Sequence, residues 1–123
     1  MTISDQISRL AAILGPARLI FRDEAELQAQ IAQLLEAAGV PFQRERVLSA
    51  GDRVDFLVLP GLGVEVKVGG PRTSIIRQLS RYAVHGAIQG LVLVTASLRH
   101  ATAFPREIGG KPVACVYLMG STF

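Results

Sequence analysis

The sequence predicts an α/β fold in which a mixed central β-sheet is flanked by helices. Three observations carry this. Residues 23–38 repeat apolar side chains with a helical period, residues 40–68 hold three short apolar runs separated by Gly-containing turns, and Leu91 to Thr95 is an unbroken apolar run after a second amphipathic helix.

In chain order, Ser4-Asp5 can cap a short helix through Ile7, Leu10 and Leu14, which Gly15-Pro16 ends. A second helix is expected from about Asp23 to Ala38. Leu27, Ile31, Leu34, Leu35 and Ala38 form its stripe, and Gly39 stands where a C-terminal glycine belongs. Strands are expected at Val40 to Ser49, Val54 to Leu59 and Val64 to Val68, with turns at Gly51-Asp52 and Pro60-Gly61-Leu62-Gly63. Gly69-Gly70-Pro71 breaks the chain before a helix from about Thr73 to Ala87. Its apolar side is Ile75, Ile76, Leu79, Ala83 and Val84. The β-branched run Leu91 to Thr95 suits a central strand covered on both faces. One or two helical turns over Ser97 to Ala103 and a strand from Val113 to Leu118 complete the order α-α-β-β-β-α-β-(α)-β.

The 123 residues suit one domain, with half of them hydrophobic and mean hydropathy +0.37. No apolar run reaches the roughly 18 residues of a membrane span, and the N-terminus lacks a signal-peptide pattern, so no membrane role is expected. The lone Cys115 excludes an internal disulfide framework and suits a reducing cytoplasm. A net charge of +3 permits a polyanionic partner without requiring one. No Gly-rich phosphate loop, Ser/His/Asp arrangement or Cys/His cluster points to another enzyme class.

The chemistry concentrates in Asp55, Glu65 and Lys67, three charges inside apolar strands, where charge is rare unless paired or bound to metal. Glu65 and Lys67 share a face by the two-residue strand period. Asp55 joins them only if the hairpin loop has an odd number of residues. A loop of Pro60 to Leu62 would set Asp55 opposite Lys67 and Leu57 opposite Glu65. Asp55 and Glu65 supply the hard oxygen ligands that Mg²⁺ prefers, and Lys67 supplies a positive charge or a proton-transfer group beside a phosphate. A salt bridge from Lys67 to either acid on an exposed sheet face is the competing account of the same residues.

Asp55, the Glu65-Val-Lys67 strand and the helix carrying Gln78-Leu-Ser-Arg-Tyr82 together resemble the PD-(D/E)XK nuclease superfamily over roughly residues 23 to 95. The Gln-x-x-x-Tyr element is similar to that of the recombination exonucleases. The acidic helix before the first strand is similar to that of the Holliday-junction resolvases and virus-type replication-repair nucleases. Val54 stands before Asp55 where the superfamily name has Pro.

The resemblance implies a restriction-endonuclease-like αβββαβ core and a Mg²⁺- or Mn²⁺-dependent deoxyribonuclease. It makes Asp55 and Glu65 metal ligands, with the Val66 carbonyl as a further donor, and Lys67 the catalytic lysine. Glu24, on the inward stripe of the second helix, is the candidate helix acid. Glu26 has the spacing of a cap with Asp23, and Glu45 is a further candidate. Gln78 and Tyr82 would face the site and position nucleic acid. Arg77 and Arg81 would touch phosphates, with Arg72 extending that patch. The expected partners are DNA and a second copy of the chain. A catalytically inactive nucleic-acid-binding or assembly module of the same fold is the alternative.

Overall fold

A computed structural model describes residues 1–119 and 121–122. Its elements are α1 (Ile3–Leu14), β1 (Ile20–Phe21), α2 (Glu24–Ala37), β2 (Phe42–Ser49), β3 (Asp52–Val58), β4 (Leu62–Lys67) and α3 (Arg72–Ala83). There follow β5 (Gly90–Thr95), α4 (Leu98–Ala101), β6 (Glu107–Ile108), β7 (Lys111–Tyr117) and β8 (Ser121–Thr122). The main sheet has six strands in the order β2-β3-β4-β5-β7-β6, and β1 pairs with β8 in a separate two-stranded ladder. β2, β3 and β4 form an antiparallel meander, whereas β4, β5 and β7 run parallel. The fold is thus mixed α/β with helices on both faces of a mixed sheet. No helix among the described residues is long and apolar enough to cross a membrane.

Two apolar clusters separate the layers. Leu10 and Leu14 of α1 and Leu27, Ile31 and Leu35 of α2 pack on Phe56, Val58, Leu62, Val64, Val66, Val92 and Val94. Ile75, Leu79 and Ala83 of α3 pack on Leu57, Leu91, Leu93 and Val113 from the other side. Along β4 and β5, odd and even positions go to opposite faces, both covered. Truncating Leu79, wholly buried, to Ala would cost about 2–5 kcal/mol.

Several boundaries move from their expected places. Thr2, not Ser4-Asp5, caps α1: its hydroxyl accepts from the Asp5 amide at 3.0 Å while Asp5 returns a bond to the Thr2 amide at 2.9 Å. α2 begins as expected, with Asp23 accepting from the Glu26 amide at 2.9 Å, and Gly39 follows it at φ +71. α3 stops at Ala83 rather than Ala87, because the chain must turn over His85–Ile88 to deliver the buried Ile88 to the core. Val84, expected on the apolar side, is therefore 80% exposed. β6 was not anticipated. Its hairpin to β7 turns on Gly109-Gly110, both at positive φ, the glycine pair that a two-residue hairpin favours.

The hairpin between β3 and β4 decides the site. Val58 pairs with Leu62, Leu57 with Gly63 and Phe56 with Val64, which leaves the three-residue loop Leu59–Gly61. The loop has the odd length the site needs but lies one residue earlier than expected. Leu62 is fully buried in the α1/α2-side cluster and so pairs as strand, while Gly61 fits close against Gln89 and Ala87, where a Cβ would meet atoms at 2.8–3.2 Å. The register therefore sets Asp55 opposite Glu65 rather than Lys67, and Leu57 opposite Gly63 rather than Glu65.

Candidate active site

Beyond the Phe56–Val64 pair the regular ladder between β3 and β4 ends, and carboxylates take over the hydrogen bonds. The Asp55 amide donates to Glu65 Oε1 at 3.2 Å, and the Val66 amide donates to Asp55 Oδ2 at 2.8 Å. A kink in β3 aims Asp55 this way. Val54 packs into the α3-side cluster and Phe56 into the α1/α2-side cluster, although residues two apart in a regular strand share a face. Opposite the kink, Glu45 of β2 adopts φ +52, a left-handed conformation that costs a non-glycine residue about 1–2 kcal/mol. Its carboxylate pairs with Arg53 at 3.0 Å.

Glu65 is 2% exposed, and its Oε2 lies 3.6 Å from Lys67 Nζ. Burial, and then repulsion from Asp55, pushes the Glu65 carboxyl up to about 8, against the pull of Lys67. Burial also pushes Asp55 up to about 6, with Glu24 and Glu45 adding repulsion and the Val66 amide opposing it. One lysine thus faces a buried acid, Glu65, and a half-buried one, Asp55. The expected salt bridge is present, but on a buried face, and it compensates only one of the two charges.

Glu24, the first residue of α2, reaches the end of β4, where its Oε1 accepts from the Val68 amide at 3.1 Å. Glu26 does not approach the site. It accepts from the Arg22 amide and pairs with the Arg22 guanidinium at 2.8 Å, completing the helix start. Among the described residues, no three Asp, Glu, His or Cys side chains stand gathered as a preformed metal cluster. The donors still suit a hard divalent ion: two carboxylates on adjacent strands, only partly neutralised, with no thiolate or imidazole competing.

The helix α3 residues divide. Arg77 and Gln78 line a cleft of about 340 Å³ together with Lys67, Ser74 and Arg81. Tyr82 faces the two acids but is 1% exposed, and its hydroxyl donates to the Arg53 carbonyl at 2.8 Å. Burial and then Glu65 and Asp55 push that hydroxyl's pKa up. Tyr82 therefore presents no surface to nucleic acid, contrary to the sequence expectation, and instead ties α3 to β3. Arg72 also leaves the expected phosphate patch. Its guanidinium donates to the Thr102 and Ala103 carbonyls and lies 5.5 Å from the centre of the Phe104 ring.

Sequence reasoning missed Asp52. Its carboxylate lies 3.2 Å from His85 Nε2 and 3.1 Å from Arg81 Nε, and these bonds, His85's first, hold Asp52 below its ordinary pKa. The partners are 29 and 33 residues away, so no local pattern announces them. Compared with known proteins, the chain matches no family model, no curated protein and no solved structure.

Proposed function

We propose that this protein is a Mg²⁺- or Mn²⁺-dependent deoxyribonuclease of the PD-(D/E)XK kind, built on a restriction-endonuclease-like core. The observation that carries the reading is the interlocked Asp55–Glu65 pair with Lys67 beside it: a buried and a half-buried carboxylate on adjacent strands and one cation, opening on a basic cleft. The succession α2-β2-β3-β4-α3-β5 supports it, being the element order that the sequence resemblance implies.

In this reading Asp55 and Glu65 hold the ion, with Glu24 nearby at the end of β4. A divalent ion bound there neutralises charge on the phosphodiester and makes water more acidic. Lys67 stands where it can hold the attacking water or its proton and balance charge gathering on the phosphate. Arg77, Arg81 and Gln78 line the path of the DNA backbone. Tyr82 keeps α3, and with it those side chains, in register with β3. The described residues hold one such site, so cutting both strands of a duplex or a junction takes two copies, and a two-fold homodimer is the simplest arrangement.

The test compares wild type with Lys67→Ala on plasmid, single-stranded and four-way-junction DNA, each with Mg²⁺, Mn²⁺ or EDTA. Metal-dependent cleavage that the variant loses by at least about a hundredfold supports the nuclease. Equal cleavage by both proteins overturns it, and binding without cleavage makes the protein a nucleic-acid-binding module instead.

A further inference from the structure

Arg81 stands in two environments at once. One side of it lines the cleft shared with Lys67, Ser74, Arg77 and Gln78. On the other, its Nε donates to Asp52 Oδ1 at 3.1 Å. A guanidinium carries five N–H donors, and this bond uses only the Nε one. The Nη groups, the pair that grips a phosphate in bidentate fashion, make no other hydrogen bond among the described residues.

Asp52 is itself held. Its Oδ2 lies 3.2 Å from His85 Nε2 and accepts from the Ser49 hydroxyl at 3.4 Å, and its side chain is 15% exposed against 50% for Arg81. Lys111 fixes the next layer by donating to the His85 carbonyl at 3.0 Å. Ser49, Asp52 and His85 resemble a hydrolase triad in composition only. Serine and aspartate both approach the same ring nitrogen, Nε2, whereas a relay needs one on each side of the imidazole. The cluster is a bracket, and the group it braces is Arg81.

We propose that Asp52 is a positioning residue that holds Arg81 to receive the backbone phosphate next to the one cleaved, in the cleft beyond Lys67. This rests on reading Asp55 and Glu65 as the cleavage site. Lys67 belongs to both the acid pair and the cleft, so a strand cleaved at the pair has its neighbouring phosphate within the cations' field. The sign of the effect makes the idea sharp. Removing an acid beside a basic cleft should tighten nucleic-acid binding by simple electrostatics. Removing a positioning residue should weaken it.

The experiment is a double-mutant cycle read by fluorescence anisotropy of a labelled single-stranded oligonucleotide in EDTA, with wild type, Asp52→Ala, Arg81→Ala and the double variant. Thermal melts confirm that each is folded. Arg81→Ala should weaken binding by about five- to tenfold and lower the salt slope by about 0.7, the loss of one phosphate contact. Asp52→Ala, which removes both the charge and the acceptor for Arg81 Nε, should weaken binding severalfold alone and have no effect in the Arg81→Ala background. In cleavage assays its effect should fall on KM rather than kcat. Unchanged or tighter binding by Asp52→Ala, or an equal loss in both backgrounds, overturns the proposal. A wild type that binds as described but never cleaves with metal defeats the nuclease reading and leaves the bracket standing. Cleavage with an additive cycle does the reverse.

Discussion

Asp55 and Glu65 stand opposite each other on β3 and β4, yet the Asp55 amide is met by the Glu65 carboxylate, not by a backbone carbonyl. The Val66 amide is met in turn by the Asp55 carboxylate. Two acids thus replace part of a β-ladder. Each gains a backbone donor, but Glu65 is buried and Asp55 half-buried, and the two repel.

That repulsion separates stability from activity. Glu65→Gln keeps an oxygen for the Asp55 amide and removes one buried charge. Its melting temperature in EDTA at pH 8 should exceed that of wild type by a few degrees. Its metal-dependent cleavage should fall by at least about a hundredfold. Calorimetry with a DNA cleavage assay checks both, and a destabilised variant would mean that Glu65 is held mainly by its hydrogen bonds.

The same carboxyls set a pH dependence for the metal-free chain. Their folded pKa values, about 6 for Asp55 and about 8 for Glu65, lie above the ordinary 3.8 and 4.5. An acid raised in this way stabilises the fold fully below its ordinary value, and that contribution is lost as pH rises through the folded value. Thermal stability in EDTA should therefore decline from about pH 4 towards pH 8. Added Mg²⁺ should restore most at the alkaline end, and Glu65→Gln should flatten the curve. Asp52, whose pKa is lowered, acts in the opposite sense and only as pH falls below the ordinary carboxylate range. Melts from pH 4 to 9 with and without Mg²⁺ measure this, and a flat wild-type profile would refute it.

Tyr82 should behave as a structural residue. Tyr82→Phe removes the bond to the Arg53 carbonyl and should cost about 1–3 kcal/mol by urea unfolding. Oligonucleotide affinity of the folded variant should change by less than about twofold, since the ring is buried. A large loss of affinity at unchanged stability would instead put the hydroxyl in contact with substrate.

Glu24 joins structure to charge. Glu24→Gln keeps an acceptor for the Val68 amide and should melt within about 1 °C of wild type. It removes one of the negative charges that add to the effect of burial on Asp55, so the Mg²⁺ concentration for half-maximal cleavage should rise by about tenfold. Titration of activity with Mg²⁺ gives the result, and an unchanged midpoint would make Glu24 a strand tether alone.

Much of this was legible in the chain itself. Leu27, Ile31 and Leu35 repeat with the helical period, and all three are buried on α2. Leu91 to Val94 is apolar throughout, and every residue of it is buried in the sheet centre. The Glu65/Lys67 spacing alone put both side chains on one face. Each of these follows from a local period, and local geometry is what a sequence encodes directly.

Other features depended on how elements meet. The hairpin register turned on whether Leu62 was loop or strand, and only the cluster beneath it made burial the stronger demand. Tyr82 carries the spacing of a surface contact, but the Arg53 carbonyl lay within reach and claimed its hydroxyl. The Asp52–Arg81–His85 bracket joins residues separated by 29 and 33 positions, and no periodicity links such distances. The sequence by itself determined the main helices and strands and the shared face of Glu65 and Lys67. The tertiary structure decided which charges are buried, which are paired and which are left facing the cleft, because burial and long-range contact are properties of the packed chain alone.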